Sequence, residues 1–441
     1  MSMAEFRINA KWMASASGEP EVRATAALVD MYVDGVCLTR NQDIWAETVR
    51  DNVFVSAYPL AMWFAASWWR LNYEPLPAQQ PGHDWRMVHE LGAANHGFVW
   101  PRVIFVPDGE SIHLWAAASL TPDQSVQYLQ SLEVPRLLPL GDFQQGVQRF
   151  LHSVLARLDA KDLAGSDLAQ LWGVLQEDLA DPEAVRRRKL EAELGFDPEE
   201  CPEDALDAAL LWEQKVGDEA LTELAPAIAS SGGSPDLTSL SQLEMGDGVV
   251  GTPTVSPDAI DHLDHGAPWE RAVHDARALR RALGNIGEPL SSRTLFDLLG
   301  LPVADRGHLS VPDGRAPVAV AIPLDGQRMK FVPRRRNPVG QRFEFARFLG
   351  EYLRFPGDRK GWLASTDLAT SRQKYQRAFA AEFLCPLDSL TSFLGGDFSS
   401  YAIDEAADKF EVSEQVVTNL LLNNGYIHHH WSRDLPYRVA A

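Results

Sequence analysis

The spacing of apolar residues changes along the chain, and this change limits the possible folds more than any other feature. Residues 1–143 contain short β-branched or aromatic segments, such as FVWPRVIFVPD and SIHLWAAASL, separated by turn-forming pairs such as Asp-Gly. Segments of this kind are typical of strands and hairpins. Among them, YPLAMWFAASWWRLNYE is apolar around most of its helical circumference, which predicts one buried helix. Because eight of the thirteen tryptophans also lie here, we predict an aromatic-rich α+β domain over residues 1–143.

A helical pattern replaces the strand pattern after this first part. From residue 144 to 229, apolar residues recur every three or four positions, with Asp and Ser where N-caps belong. Residues 230–256 are rich in Ser, Gly, Thr and Pro, which predicts a flexible linker. Strands and longer helices follow in residues 257–400, and a small helical tail in residues 401–441. The sequence therefore predicts an α+β protein of several domains.

The composition excludes several classes of protein. The net charge is −21 over 441 residues, which argues against a protein that mainly coats nucleic acid, because phosphate binding needs clustered cations. Three cysteines, Cys37, Cys201 and Cys385, lie far apart, as is typical of a reducing compartment. The longest nearly apolar run, residues 57–69, is shorter than the about 20 residues of a membrane-spanning helix. We therefore expect a cytoplasmic protein with no membrane partner.

One short motif resembles a catalytic signature in part only. His89 and Glu90 open like the HExxH helix of zinc peptidases, but the second histidine position is Ala93. His96 lies seven residues after His89, about 10 Å along a helix, which is too far for both to bind one metal. The sequence contains neither a GxxxxGK phosphate loop nor a GxSxG nucleophile elbow. Nucleotide hydrolysis and serine-hydrolase chemistry are therefore not expected.

A basic segment accompanies a predicted hairpin at residues 328–342. The segments VAVAIPL and RMKFVP predict its two strands, with an Asp-Gly turn between them. Arg334, Arg335 and Arg336 follow the second strand. They are candidates for contact with an anionic partner, and a solvated turn is the alternative.

The C-terminal part carries a more specific pattern. Residues 301–427 combine the hairpin, a helix containing RFEFARFLGE at 342–351, a second helix containing FAAEFLCP at 379–386, and the tail AADKFEVSEQVVTNLLLNNGYI. This order resembles the ImmA/IrrE family of zinc metallopeptidases, whose first helix typically reads RFTLAHELGH and whose second ends in a phrase like ANxFAAELLMP. With its helical lead-in from Trp269, the resemblance covers about 170 residues. It implies a C-terminal domain with a zincin-like fold.

The resemblance also implies where a zinc site would lie. The first zinc histidine corresponds to Arg347, the general-base glutamate to Phe348, the second histidine to Glu351, and the third ligand falls near Tyr375. A catalytic zinc needs three protein ligands and one open position. Arginine offers no lone pair, and phenylalanine cannot accept a proton from water. The resemblance therefore implies a degenerate site with no catalytic residue, no metal and no other cofactor.

The replacing side chains suggest what occupies that site instead. Glu344, Arg347 and Glu351 follow one another at intervals of three and four residues, which places them on one face of the predicted helix. We expect an ion-pair cluster at the former metal position. The alternative is that these side chains point into solvent.

An inactive member of this family would bind a partner without cutting it. Members of the family cut or control repressors and toxin–antitoxin proteins in phage, mobile-element and stress-response settings. The resemblance therefore implies a pseudopeptidase that serves as a protein-binding regulatory or assembly component. Its partner would be another protein, such as a regulator, toxin or effector.

Two alternatives remain open from the sequence. One is an active metallopeptidase or other hydrolase with a non-standard site, built from Glu344, Glu351, Glu382 and a histidine such as His308. The other is a nucleic-acid-linked assembly component that uses the hairpin at 328–342. The tail is a poor candidate for DNA binding, because its segment from residue 402 to 427 carries five acidic residues and one basic residue.

Overall fold

The computed structural model describes residues 5–16, 18–44, 46–119, 124–229, 237–302, 317–354 and 361–428. Its contacts divide the chain into two compact units, with the boundary after Leu206. Helices and antiparallel sheets are both present, so the fold class is α+β. The boundary lies inside the predicted helical region of residues 144–229, and each unit therefore contains part of that region.

The described residues of the first unit form three antiparallel sheets built from short strands. Their bounds are β1 (Phe6–Trp12), β2 (Ala26–Val33), β3 (Val36–Cys37), β4 (Asn41–Asp43), β5 (Thr48–Arg50), β6 (Val53–Ser56), β7 (Arg102–Pro107), β8 (Ser111–Ala117), β9 (Val126–Tyr128) and β10 (Arg136–Pro139). The strand orders are β1-β2-β3, with β6 also paired to β2, then β5-β4-β9, and β10-β8-β7. Buried and more exposed residues alternate along most of β1 and β2, as in sheets with one covered face.

Helices cover the buried side of these sheets. They are α1 (Pro20–Ala24), α2 (Ala57–Ala66), α3 (Trp68–Tyr73), α4 (His83–His89), α5 (Leu140–Asp159), α6 (Asp167–Ala180) and α7 (Pro182–Glu193). The single buried helix predicted near the tryptophans is two helices, α2 and α3. The chain breaks at Ser67, whose φ of −86° and ψ of 2° lie outside the α region. Both helices are buried as predicted, with Trp63, Trp68 and Trp69 in the core.

The second unit combines a four-stranded antiparallel sheet with most of the remaining helices. Its helices are α8 (Glu203–Val216), which begins just before the boundary, α9 (Asp218–Ala229), α10 (Ser239–Met245), α11 (Pro268–Ala282), α12 (Ser292–Leu298), α13 (Pro338–Arg354), α14 (Ser371–Leu384), α15 (Leu387–Leu394), α16 (Ser400–Phe410) and α17 (Glu414–Asn423). Its strands are β11 (Val249–Gly251), β12 (Ala319–Pro323), β13 (Met329–Val332) and β14 (Leu363–Ser365). The sheet order is β11-β13-β12-β14. The predicted hairpin is confirmed, because β12 and β13 pair with Ala321 opposite Phe331.

Part of the segment predicted as a linker is folded. Helix α10 and strand β11 both lie within residues 230–256, and β11 pairs with β13. Leu237, Leu240 and Leu243 are buried there. Their helical spacing is enough to anchor the segment even though its composition is dominated by small and polar residues. The first part of the expected linker, residues 230–236, lies outside the described residues.

Helices α13 and α14 pack directly against each other in the core of the second unit. Their close approach depends on Gly350, where a Cβ atom would lie 2.5 Å from Cδ1 of Phe379. Helix α11 packs against the same α14. The tail joins this core through Phe410 and Val417. Across the described ranges, no helix has both the length and the apolar character needed to cross a bilayer.

Candidate functional site

The residues for which the resemblance predicts a degenerate zinc site lie on α13 and α14. The hydroxyl oxygen of Thr370 caps α14 by accepting a hydrogen bond from the backbone amide of Gln373 at 3.2 Å. This cap fixes where the helix begins after β14. Because Gly350 lets the two helices touch, polar side chains from both become enclosed where water is excluded. Buried polar groups of this kind must satisfy one another.

Arg347 is buried and bonds to groups other than the expected carboxylates. Its Nη2 donates to the Thr366 carbonyl at 2.8 Å and to Gln373 Oε1. The Gln373 amide nitrogen in turn donates to the Ala364 carbonyl at 3.0 Å. Burial, together with repulsion from Arg377, lowers the pKa of Arg347 to about 9, so its guanidinium remains protonated at pH 7. Arg347 therefore ties α13 to α14 and to the segment after β14.

Glu351 is completely buried and pairs across the helices with Arg372. The Arg372 Nε donates to Glu351 Oε1 at 2.7 Å, and its Nη2 donates to the same oxygen. The other carboxylate oxygen accepts a hydrogen bond from Gln376 Nε2. Burial alone would lower the pKa of Arg372, but the carboxylates of Glu351 and Glu223 outweigh it and the pKa is raised. Both Glu351 oxygens are thus engaged by side chains of α14.

The predicted cluster of Glu344, Arg347 and Glu351 is therefore divided among other partners. Glu344 accepts hydrogen bonds from the backbone amide of Arg334 at 2.8 Å and from its Nε at 3.0 Å. The helical spacing does align the three side chains. However, α14 and the loops beside the sheet offer partners in better positions than the neighbouring turn of α13. The alternative of solvent exposure also fails, because all three residues are buried.

Phe348 lies inside the apolar core of the second unit, and Tyr375 lies where this core meets a polar group. The Phe348 ring is fully buried and packs 5.9 Å from Phe331, centroid to centroid. Tyr375 stacks on Phe379 and donates its hydroxyl hydrogen bond to Asp275 Oδ2 at 2.7 Å. Phe348, which the resemblance would place at a general base, thus belongs to the hydrophobic core, and Tyr375, near the expected third ligand, belongs to a separate hydrogen-bonded group.

Asp275 is the centre of that separate group. Besides Tyr375, it bonds to the Nδ1 atoms of His262 at 2.7 Å and His274 at 3.2 Å. Burial would raise the pKa of Asp275, but the hydrogen bonds from His262, Tyr375 and His274 outweigh it and the pKa is lowered. Because both histidines direct Nδ1 at the same carboxylate, the group fastens the segment before α11 to α11 and α14.

The basic residues of the hairpin are largely paired with carboxylates. Arg334 is buried, and besides Glu344 it binds both oxygens of Asp367, at 2.9 and 2.6 Å. Arg335 reaches the same Asp367 at 3.2 Å. Arg336 is exposed. The cationic surface is therefore smaller than the sequence predicts, because the side chain of Arg334 is only 4% accessible and pairs with Glu344 and Asp367.

The side chains around Arg347 do not fit a zinc ion. Three buried polar atoms lack a hydrogen-bond partner there among the described residues, namely Arg347 Nε, Ser365 Oγ and Gln376 Oε1. A protonated guanidinium, a hydroxyl and an amide oxygen are not the thiolate, imidazole and carboxylate ligands that zinc takes. Across the part of the chain that the structure describes, no group of three or more His, Cys, Asp and Glu residues has a metal-binding arrangement.

The other sequence candidates are also engaged. Glu382 accepts a hydrogen bond from Arg277 Nε at 2.6 Å. His89 is buried, with Nδ1 2.9 Å from the Phe105 carbonyl and Nε2 3.0 Å from Glu74. His308 lies outside the described residues.

Several residues of the site escaped sequence reasoning. Arg372, Gln373 and Gln376 lie on the helix that the sequence identified, but their spacing resembles that of any polar helix face. Glu223 comes from the distant helix α9, and its carboxylate accepts the Thr370 hydroxyl at 2.7 Å. Only tertiary packing brings these groups together.

Comparison with known proteins gives no further assignment. No protein-family model, no curated protein and no solved structure matches the chain.

Proposed function

We propose that the second unit is a degenerate ImmA/IrrE-like peptidase domain and that the chain works by binding another protein rather than by hydrolysis. The observation that carries this proposal is the buried network of Arg347 and Glu351. At the positions where the resembled family holds two zinc histidines, this chain has a guanidinium and a carboxylate that are bonded to α14 and to the segment after β14.

The chemistry of this network supports a structural role. Water is activated at a catalytic zinc only when protein ligands hold the metal ion and one coordination position stays open for the water. Arg347 instead supplies a fixed positive charge at the helix interface, and Phe348 supplies an apolar ring where the family has a base. The hydrogen bonds of Arg347 to Thr366 and Gln373 join the two helices without any bound ion, and neither Arg347 nor Phe348 can take a proton from water.

Binding is the activity that a peptidase-like unit retains when its chemistry is removed. The resembled family recognises regulatory proteins, and we propose a regulator, toxin or effector in a phage, mobile-element or stress-response setting as the class of partner. The chain would hold such a partner intact and act as a regulatory or assembly component.

Metal analysis and partner stability test this proposal together. The purified full-length chain, supplied with zinc and then dialysed, should contain far less than about one zinc per chain. A protein that co-purifies with the tagged chain from its native host should stay full length when zinc is added in excess. Stoichiometric zinc that disappears in Glu351→Gln, or cleavage of the partner that a chelator stops, would replace this proposal with an active peptidase.

The two alternatives have less support. An unconventional hydrolase would need free carboxylates, yet Glu344, Glu351 and Glu382 each accept hydrogen bonds from arginine side chains. A nucleic-acid contact at the hairpin would need Arg334, which is buried between two carboxylates. Loss of salt-dependent oligonucleotide binding on replacing Arg334, Arg335 and Arg336 with alanine would favour the nucleic-acid alternative.

A further inference from the structure

Strand β1 of the first unit has one paired edge and one open edge. Among the described residues it pairs only with β2. The Glu5 carbonyl accepts from the Asp34 amide at 3.1 Å, and the Met13 amide donates to the Ala26 carbonyl at 2.8 Å, so odd-numbered residues bond toward β2. Because backbone groups alternate along a strand, those of Phe6, Ile8, Ala10 and Trp12 point to the opposite edge.

An independent contact supports this assignment of the two edges. The Phe6 carbonyl accepts a hydrogen bond from Arg149 Nη2 at 3.3 Å, and Arg149 lies on α5 rather than on β2. At the same place, a Cβ atom on Gly146 would lie 2.5 Å from the Phe6 oxygen. Helix α5 therefore closes the edge at Phe6 and leaves the next residues of the strand beside a gap.

That gap is a groove of about 360 Å³ between β1 and α5. We call it the β1 groove. It is lined by Arg7, Ile8, Asn9 and Ala10 from the strand, and by Arg149 and Ser153 from the helix. Ile8 and Ala10, whose backbone groups point to this edge, are among the residues that line it. An edge of this kind is a template for a further strand, and proteins that do not use such an edge usually block it with charge, proline or a covering element.

The charges around the β1 groove select the kind of strand. Arg149 stands on the helix side and is exposed, with guanidinium hydrogens beyond the one given to Phe6. Arg7 stands on the strand side over the ring of Tyr32, with its nearest carboxylate, Glu5, 3.8 Å away. Two arginines at one groove of a chain with a net charge of −21 favour an occupant with acidic side chains.

We propose that the β1 groove binds an extended acidic segment of a partner protein, which pairs with the open edge of β1 as an additional strand. The backbone of Ile8 and Ala10 supplies the pairing, and Arg7 and Arg149 bind carboxylates of alternate side chains. This proposal concerns the first unit and does not depend on the proposed function of the second, so either can fail alone.

Matched peptides test both parts of the proposal on the full-length chain. The probes are fluorescein-labelled TVEVEVT, TVQVQVT and TVKVKVT, with fluorescence anisotropy as the readout. The acidic peptide should bind at least about tenfold more tightly than the lysine peptide, and this preference should weaken as salt rises. Arg149→Gln should reduce the preference, whereas Arg136→Gln on β10 should leave it unchanged.

Proline separates strand addition from simple charge attraction. Ala10→Pro removes one outward amide without touching the bonds to β2, and it should weaken binding of the acidic peptide by about tenfold. Ala10→Val keeps that amide and should bind like the unaltered chain. Circular dichroism confirms that each variant is folded, and Arg149→Gln provides the test if the proline variant is not.

Several results would overturn the proposal. These are equal affinity for the three peptides, no binding of any, or binding that Ala10→Pro leaves unchanged. A concentration-dependent dimer that Ala10→Pro abolishes would assign the edge to a second copy of the chain. Binding of a single-stranded oligonucleotide that is lost in Arg149→Gln would assign the groove to nucleic acid.

Discussion

At the scale of single residues, the second unit depends on charges that have been removed from water. Glu351 is completely buried, and the side chain of its partner Arg372 is 13% accessible. Removing two ions from water costs several kcal/mol each, and their attraction offsets this cost only while both are present. The pair therefore specifies how α13 meets α14, and loss of either member costs more than the pair contributes.

Removal of the buried carboxylate should be strongly destabilising. Glu351→Ala leaves Arg372 buried without this partner, and we expect a loss of about 3–5 kcal/mol in urea unfolding. Glu351→Gln retains the shape of the side chain and should lose less. The exposed pair Arg293–Asp297, with side chains 83% and 55% accessible, provides the control, and Arg293→Ala should cost less than about 1 kcal/mol. If Glu351→Ala lowers the free energy of unfolding as little as Arg293→Ala does, Glu351 and Arg372 do not form a buried ion pair.

An acidic group at position 348, where the resemblance would place a general base, should damage the fold. Phe348→Glu places a carboxylate among Phe331, Phe345 and neighbouring apolar residues, and we expect a loss above about 4 kcal/mol or insoluble protein. Phe348→Leu keeps the position apolar and should cost only about 1–3 kcal/mol. Phe393 is 39% exposed, so Phe393→Glu should be tolerated. Thermal unfolding followed by circular dichroism compares the three variants, and normal stability of Phe348→Glu would contradict this placement.

At the scale of elements, the site is assembled where α13, α14 and the segment after β14 converge. Gly350 sets the distance between the two helices, and Thr370 sets the start of α14. Helix α9 reaches the same place through Glu223, which accepts the Thr370 hydroxyl. Side chains from four segments therefore share one buried polar region.

The close contact between the two helices predicts a cost for a single methyl group. Gly350→Ala would place a Cβ 2.5 Å from the Phe379 ring, and we expect a loss of about 1–3 kcal/mol in denaturant unfolding. Gly173, inside α6, has open space at its Cβ position, so Gly173→Ala should be neutral or stabilising by up to about 1 kcal/mol. Equal effects of the two substitutions would show that α13 and α14 are not in close contact.

The buried carboxylate of α9 predicts a dependence of stability on pH. Burial raises the pKa of Glu223, because its attraction to Arg372 and the Thr370 hydrogen bond compensate only in part. The stability contributed by a carboxyl with a raised pKa is fully present below the ordinary value of about 4.3. It is lost as the pH rises toward the folded-state pKa. Glu223→Gln removes this loss, so the variant should gain stability relative to the unaltered chain as the pH rises above the ordinary carboxyl pKa of about 4.3.

Urea unfolding at several pH values measures this difference. Glu219, one helical turn earlier and exposed, provides the matched control through Glu219→Gln. The control should keep the pH dependence of the unaltered chain. A Glu223→Gln difference that stays constant or falls with pH would show that the Glu223 carboxyl does not have a raised pKa.

At the scale of the whole molecule, the chain forms two units, each with its own hydrophobic core. The first core is rich in aromatic residues, and the second is centred on α13 and α14. Units with separate cores can respond separately to local damage.

Separate cores predict separable unfolding transitions. Gly146→Ala in the first unit would place a Cβ 2.5 Å from the Phe6 oxygen, and Gly350→Ala crowds Phe379 in the second. In differential scanning calorimetry of the full chain, each variant should lower the midpoint of a different transition. If both variants lower one common transition by similar amounts, the two units unfold cooperatively and this prediction fails.

The sequence predicted the elements that depend on residues close together along the chain better than those that depend on residues far apart along it. The hairpin of β12 and β13 followed from two short apolar segments around an Asp-Gly turn, and the structure has it. The break at Ser67 was missed. The folding of residues 237–251 was missed as well, because strand β11 forms only by pairing with the distant β13. For the site, the resemblance identified the helix positions of Arg347, Phe348, Glu351 and Tyr375. It did not identify their partners.

The sequence by itself determined most helices and strands, and through them the α+β class, because these follow from local residue patterns. It also determined the chemical types of the side chains at positions 347, 348, 351 and 375. Only the tertiary structure decided that Glu351 binds Arg372, that Arg347 binds Gln373 and that Arg334 turns inward. Side chains separated by water in the unfolded chain compete for partners only when packing fixes their distances. In a low-dielectric interior, a charged side chain pairs with the nearest well-oriented group in space rather than with the group that is closest in sequence.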